Sequence, residues 1–218
     1  MGTGELQRQS DTAAVNSDHV DGRLLRSIRT RDKVIDAFLA LLSEGDLSPT
    51  AQRVAARAEV SLRTVFHQFE DLETLHRLAG DRLRERVAAL TEPIDTGLPL
   101  ADRTAAFARH RVRVLTVLHP VASAARLREP ASQTLRDNRD ALLAAARANL
   151  EQVFEPELDS LTDPARARVV TALGLVTSWG AWWQLREECG LEETEAEAVM
   201  RTGLEALLTG LSAARTTG

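Results

Sequence analysis

Between Ser61 and Phe69 the chain reads SLRTVFHQF, and its residue types fall into two sets. Leu62, Val65 and Phe69 recur at i, i+3 and i+7, the spacing of one apolar helix face. Arg63, Thr64, His67 and Gln68 then lie on the other side, and these types donate to phosphates or base edges. Arg63 can pair bidentately with guanine, Gln68 can read adenine, and the Thr64 hydroxyl suits a phosphate. The chemistry is recognition of duplex DNA. It requires a scaffold that presents this short helix to a major groove.

The preceding residues supply such a scaffold. A first helix is expected from about Thr30 to Ser43, with Val34, Ile35, Phe38, Leu39 and Leu42 as its apolar face. Gly45 stops it, as a glycine past a helix C-terminus does. Ser48-Pro49 reads as an N-cap followed by proline at the first helical position, opening a short helix to about Ala58 with Val54, Ala55 and Ala58 inward. Glu59-Val60 makes a tight turn, and Ser61 is placed to cap the next helix. Two short helices joined in this way match helix-turn-helix spacing. Glu70 and Asp71 then put acids at the start of a fourth helix, where the helix dipole favours them.

Charge distribution agrees with this reading more than net charge does. The chain of 218 residues carries −5 overall, but residues 23–77 hold nine Arg plus Lys against eight acids. The flanks, residues 1–22 and 78–218, are each −3. Arg23, Arg26, Arg29, Arg31 and Lys33 face only Asp32 within residues 23–33, a cluster able to displace counterions from phosphates. Residues 1–22 are polar and aperiodic and are expected to form a disordered tail.

Residues 30–75 resemble the DNA-binding head of TetR-family transcriptional regulators. The resemblance rests on Thr50 at the second helix, the Val54-Ala55 pair, the turn Ala58-Glu59-Val60-Ser61, then Thr64, Val65, Phe66, Phe69 and Leu75. Three positions depart from the family pattern. Glu59 replaces the turn glycine, so the turn is expected to need an unusual backbone. Phe66 replaces a tyrosine that donates to phosphate, and Leu72 replaces a phosphate-binding lysine. Residues and resemblance together mark Arg29, Arg31, Thr50, Ser61, Leu62, Arg63, Thr64, Phe66, His67 and Gln68 as the candidate DNA-contacting set.

Residues 76–218 are expected to form a second, helical domain after a head spanning 23–75. Proline and glycine breaks divide it into helices near 71–91, 100–118, 121–128, 131–153, 163–189 and 193–213. No segment alternates with period two, so the fold class is all-α. The resemblance implies that the last two helices pair with those of a second copy to form a homodimer. Leu173, Val176, Gly180 and Trp183 on one, and Val199, Leu204, Leu207, Leu208 and Leu211 on the other, are spaced for this, though intrachain packing explains the same pattern. A dimer also places two reading helices about 34–36 Å apart for a palindromic operator.

The resemblance further implies a cavity for a largely apolar small-molecule effector. Candidate linings are Phe107, His110, Val114, Leu118, Leu127, Leu143, Phe154, Trp179 and Trp182. The tryptophans are suited to flat or cationic ligands but equally to a core. Arg111 and Arg113, beside His110, are read either as surface residues or as groups orienting an acidic ligand.

Other classes find little support. An enzyme is disfavoured: no P-loop, GxGxxG, GxSxG or HExxH occurs, and the five histidines lack metal-ligand spacing. No catalytic residue, metal or cofactor is expected. One cysteine, no membrane-length apolar run and no apolar signal core suggest a cytoplasmic protein, and the Arg-rich, Ala-rich, nearly Lys-free composition points to a GC-rich bacterial genome. The remaining alternative is a helical protein of the same shape that has lost DNA affinity and binds other proteins.

Overall fold

The computed structural model describes residues 24–126 and 128–216, all helix, turn or loop with no strand among them. They divide into two compact units, one ending at Ala79 and one beginning at Gly80. The division falls inside a single helix.

The first unit is a trihelical head. Helix α1 covers residues 24–43 and buries Val34, Ile35, Phe38, Leu39 and Leu42. It starts earlier than Thr30 because its first turns are tied down. The Ser27 hydroxyl donates to the Gln68 side-chain carbonyl at 3.3 Å, and Arg31 donates to the Gln68 backbone carbonyl at 3.4 Å while lying over the Phe69 ring. Gly45, at φ 89°, closes α1 through bonds from its own N–H to Leu42 and from Asp46 N–H to Leu41.

Helix α2 is Ala51–Arg57 and α3 is Leu62–Gln68. The cap of α2 is Thr50, not Ser48: the Thr50 hydroxyl accepts from Arg53 N–H, while Ser48 N–H bonds Asp46 and Pro49 is buried ahead of the helix. Ser61 caps α3 by accepting from Thr64 N–H at 3.0 Å.

Between them, Glu59 N–H bonds Ala56 and Val60 N–H bonds Ala55, the paired bonds of a Schellman closure. That closure puts Glu59 at φ 56°, the only positive φ at a non-glycine residue among those described. A left-handed side-chain-bearing residue costs roughly 1–2 kcal/mol, partly offset because glycine frees the unfolded chain by about 0.4–1 kcal/mol. Glu59→Gly is therefore expected to stabilise the head by about 0.5–1 kcal/mol, read as a raised urea midpoint. An unchanged or lowered midpoint would contradict the strain.

The second unit wraps helices around α5. Helix α4, Leu72–Leu90, begins in the head, where Asp71 accepts from Thr74 N–H and Leu75 and Ala79 are buried. That backbone bond, then the Thr74 hydroxyl, holds the Asp71 carboxyl below its ordinary range.

Helix α5 runs unbroken from Leu100 to Arg126, so the two helices expected at 100–118 and 121–128 are one. Pro120 lies inside it, and the carbonyl left without its donor belongs to Thr116, an exposed residue. After a 3₁₀ turn at Glu129–Ala131 come α6 (Gln133–Val153), α7 (Glu155–Leu158), α8 (Asp163–Val176), α9 (Trp179–Trp183) and α10 (Glu193–Thr216). A π-helical turn, Gln184–Glu188, follows α9.

The helix expected over 163–189 is thus interrupted. Ser178 caps α9 by accepting from Ala181 N–H, and Arg111 on α5 donates from Nε and Nη2 to the Thr177 carbonyl at 3.2 and 3.0 Å. A carbonyl at the end of α8 is thereby satisfied without continuing the helix.

Three clusters fill this unit. Phe107, Leu150, Phe154, Leu158, Leu173, Leu204 and Leu208 form the largest. Val112, Leu115, Trp182, Ala196 and Met200 form a second, with Leu83, Val114 and Leu118 the third. Leu173, Leu204 and Leu208, expected on a dimer face, therefore pack within the chain. Among the described residues the exposed large apolar groups on α8 and α10 are Leu175 and Val199, the latter one of those expected on the dimer face, while the side chain of Leu211 lies outside the described residues.

Candidate nucleic-acid interface and ligand-lining residues

Helix α3 is short, and its buried face consists of Val65 and Phe69, each 4% exposed. Leu62, expected to complete that face, is 42% exposed. It stands at the first turn of a seven-residue helix, where Val65 and Phe69 already satisfy the contact with the neighbouring helices.

Arg63, Phe66 and His67 are exposed, and Arg63 and His67 make no hydrogen bond or ion pair among the described residues. The Thr64 and Ser61 hydroxyls lie 2.7 Å apart, so the same pair that caps the helix fixes the two hydroxyls at its N-terminus. Gln68 is half-buried, and its side-chain carbonyl accepts from Ser27 on α1. Its position at the last turn of α3 is also the end farther from the N-terminal residues that reach bases in this kind of docking.

The cations of the head are not equivalent. Arg53 is paired with Asp46 at 2.7 Å and Arg57 with Glu44 at 2.5 Å, so α2 presents little free positive charge. Arg29 and Lys33, one turn apart on α1, and Arg63 on α3 carry no such partner among the described residues. Arg31 is committed to Gln68 and the Phe69 ring. Thr50 is exposed, with its hydroxyl accepting from Arg53 N–H. The side chain of Leu72 lies outside the described residues.

Most of the ligand-lining candidates fall in three separate buried clusters. Phe107 and Phe154 are fully buried against each other, edge to face at 5.2 Å, in the largest cluster. Val114 belongs to the cluster with Leu83 and Leu118, and Trp182 to the one with Met200. Leu143 is 54% exposed and lines no core, and Leu127 lies outside the described residues.

Arg111 is buried, contrary to a surface placement, and burial draws its guanidinium down to about 10. Arg113 is half-exposed beside Glu92 at 3.6 Å. His110 is 4% exposed with Nδ1 unbonded, and burial, followed by the charges of Arg111 and Arg113, holds its pKa below the usual imidazole value.

Near the end of α5, His119 and Arg126 gather with Glu187 and the tryptophans of α9. His119 Nε2 meets Glu187 at 3.1 Å, its ring lies 6.3 Å from that of Trp179, and Arg126 sits over Trp179 and Trp183. The Arg126 side of that contact was hidden in sequence because Arg126 lies more than fifty residues away from them. Among the described residues no group of three or more His, Cys, Asp or Glu could hold a metal ion, and no helix is long and apolar enough to cross a membrane.

No family model and no curated protein matches the sequence. Solved structures do match. A TetR-family transcriptional regulator from Streptomyces coelicolor is 21% identical with a TM-score of 0.66, covering 85% of this chain and 82% of its own. A transcriptional regulator from Rhodococcus sp. Rha1 is 18% identical with a TM-score of 0.64, covering 83% and 96%. The multidrug binding protein EbrR, solved with imidazole, is 21% identical with a TM-score of 0.53, covering 79% and 93%. The chain has the fold of these regulators: all-α, with an N-terminal helix-turn-helix and a C-terminal helical domain.

Proposed function

We propose that the protein is a TetR-family, sequence-specific DNA-binding transcriptional regulator, acting as a cytoplasmic homodimer on a palindromic operator. The observation that carries this reading is α3 itself. It exposes Arg63 in its first turn and His67 in its last, with Thr64 half-buried between them, on a helix capped by Ser61 and anchored by Val65 and Phe69. Arg29 and Lys33 on α1, without an ion-pair partner among the described residues, supply cations for phosphates.

The regulator is proposed to be a repressor released by a small-molecule effector in the C-terminal domain, and not an enzyme. The fold shared with a multidrug binding protein supports a ligand there. In this reading the effector shifts α4, Leu72–Leu90, a helix common to both units, and so alters the spacing of the two reading helices. Linkage requires that the effector weaken operator binding by the factor by which operator weakens effector binding. An exposed Leu175 on α8 and Val199 on α10 favour those helices as the dimer face.

The test is selection from a random duplex pool with the full chain, followed by titration at ~0.15 M salt, where nonspecific binding is weak. A two-fold symmetric site bound well above random duplex is expected. Equal binding to every sequence would instead favour the reading as a protein-interaction module, for which the exposed Phe66 is the supporting observation.

Arg29→Ala is expected to weaken operator and random duplex alike and to reduce the salt slope by about one unit. A loss confined to the operator would place Arg29 on a base instead.

A further inference from the structure

Bare hydrocarbon is exposed on α3 beside Arg63 and His67. Leu62 is 42% exposed and Phe66 is 65% exposed, the latter the most exposed large apolar side chain among the described residues of the head. They are four residues apart, so they project from one side of α3, about 6 Å apart along its axis. Internal packing does not account for them, because Val65 and Phe69 supply the buried face. Their immediate neighbours, Arg63 and His67, are exposed and unpaired among the described residues.

An occupant must therefore offer apolar contact and negative charge within a few ångströms. An apolar protein surface satisfies Leu62 and Phe66 but leaves Arg63 and His67 facing hydrocarbon. A DNA major groove satisfies both, because phosphates border it and thymine alone presents a methyl group on its floor.

We infer that Leu62 and Phe66 are specificity-determining residues that read the 5-methyl groups of thymines in the operator half-site. This rests on the DNA-binding reading above. Base pairs rise about 3.4 Å along each strand, so a 6 Å separation corresponds to methyls about two steps apart where the helix follows the groove. Arg63, adjacent to Leu62, then reads a guanine in the same half-site. Phe66, which lacks the hydroxyl that would donate to a phosphate, gains a base-reading role in exchange.

The experiment has two stages, both with the full chain. Selection from a random duplex pool comes first, and failure to enrich any sequence sinks the DNA-binding reading itself. Each thymine of the enriched site is then replaced by deoxyuridine, which removes the methyl and nothing else. One or two thymines per half-site are expected at which the replacement weakens binding about four-fold, the worth of one buried methyl.

Leu62→Ala and Phe66→Ala should each erase the thymine-to-uracil difference at its own position, bringing that ratio close to one. Wild-type protein that selects a site yet binds its uracil form equally well would overturn the inference while leaving DNA binding intact. So would a methyl dependence that survives in both variants. The wild-type scan decides the matter even if a variant fails to fold.

Discussion

Arg103→Ala is expected to destabilise the C-terminal unit by about 3–5 kcal/mol, the usual consequence of removing one partner of a buried ion pair. Arg103 on α5 is 4% exposed and Glu157 on α7 is 8% exposed. The guanidinium donates Nη1 to Oε2 at 2.7 Å and Nη2 to Oε1 at 2.5 Å, a bidentate fork. It also donates to the Leu98 carbonyl at 3.0 Å and the Val153 carbonyl at 2.9 Å. One side chain thus holds the entry to α5, the end of α6 and the four-residue helix α7. Alanine leaves a carboxylate and two carbonyls unpaired in the interior.

Equilibrium urea unfolding of the full chain, followed by circular dichroism, measures the loss. Arg103→Met combined with Glu157→Leu removes both charges and is expected to cost well under the sum of the single changes, because the penalty lies in the orphaned charge. A loss below about 1 kcal/mol for Arg103→Ala, the range of an exposed pair, would show that the site is solvated.

Arg63→Ala is expected to reduce operator affinity by about 1–3 kcal/mol and to leave binding to random duplex nearly unchanged. Arg63 sits in the first turn of α3, exposed and without a protein partner among the described residues, so no intramolecular contact is lost with it. Its planar fork matches guanine O6 and N7, which lysine cannot reproduce, so Arg63→Lys should recover little. Fluorescence anisotropy on operator and random duplex at fixed salt separates the cases. Equal weakening of both would assign Arg63 to a phosphate.

Much of the head was legible because its signals are local. The α1 face Val34, Ile35, Phe38, Leu39 and Leu42 is buried as its spacing predicts, and Gly45 and Ser61 end and start helices as their chemistry requires. The unusual turn at Glu59 was also foreseeable, since a left-handed residue was needed where no glycine stood. Leu62 was misplaced because periodicity assigns a face without knowing how far the neighbouring helices extend. Gln68, a candidate base contact, also bonds Ser27, forty-one residues earlier, a link that leaves no trace in local spacing.

By itself, then, the sequence determined the all-α class, the helix-turn-helix and the outward placing of Arg63 and His67 on α3, because helix caps, apolar periodicity and turn chemistry act over a few residues. Tertiary structure alone decided where the long helices break and which apolar residues become core. Pro120 did not end α5, whereas α8 stops at Thr177, whose carbonyl accepts from an arginine sixty-six residues away. The aromatic candidates for a ligand lining were divided between two clusters, Phe107 with Phe154 and Trp182 with Trp179, by the same long-range packing. Contacts between residues distant in sequence leave no periodic trace, so only the folded chain reveals them.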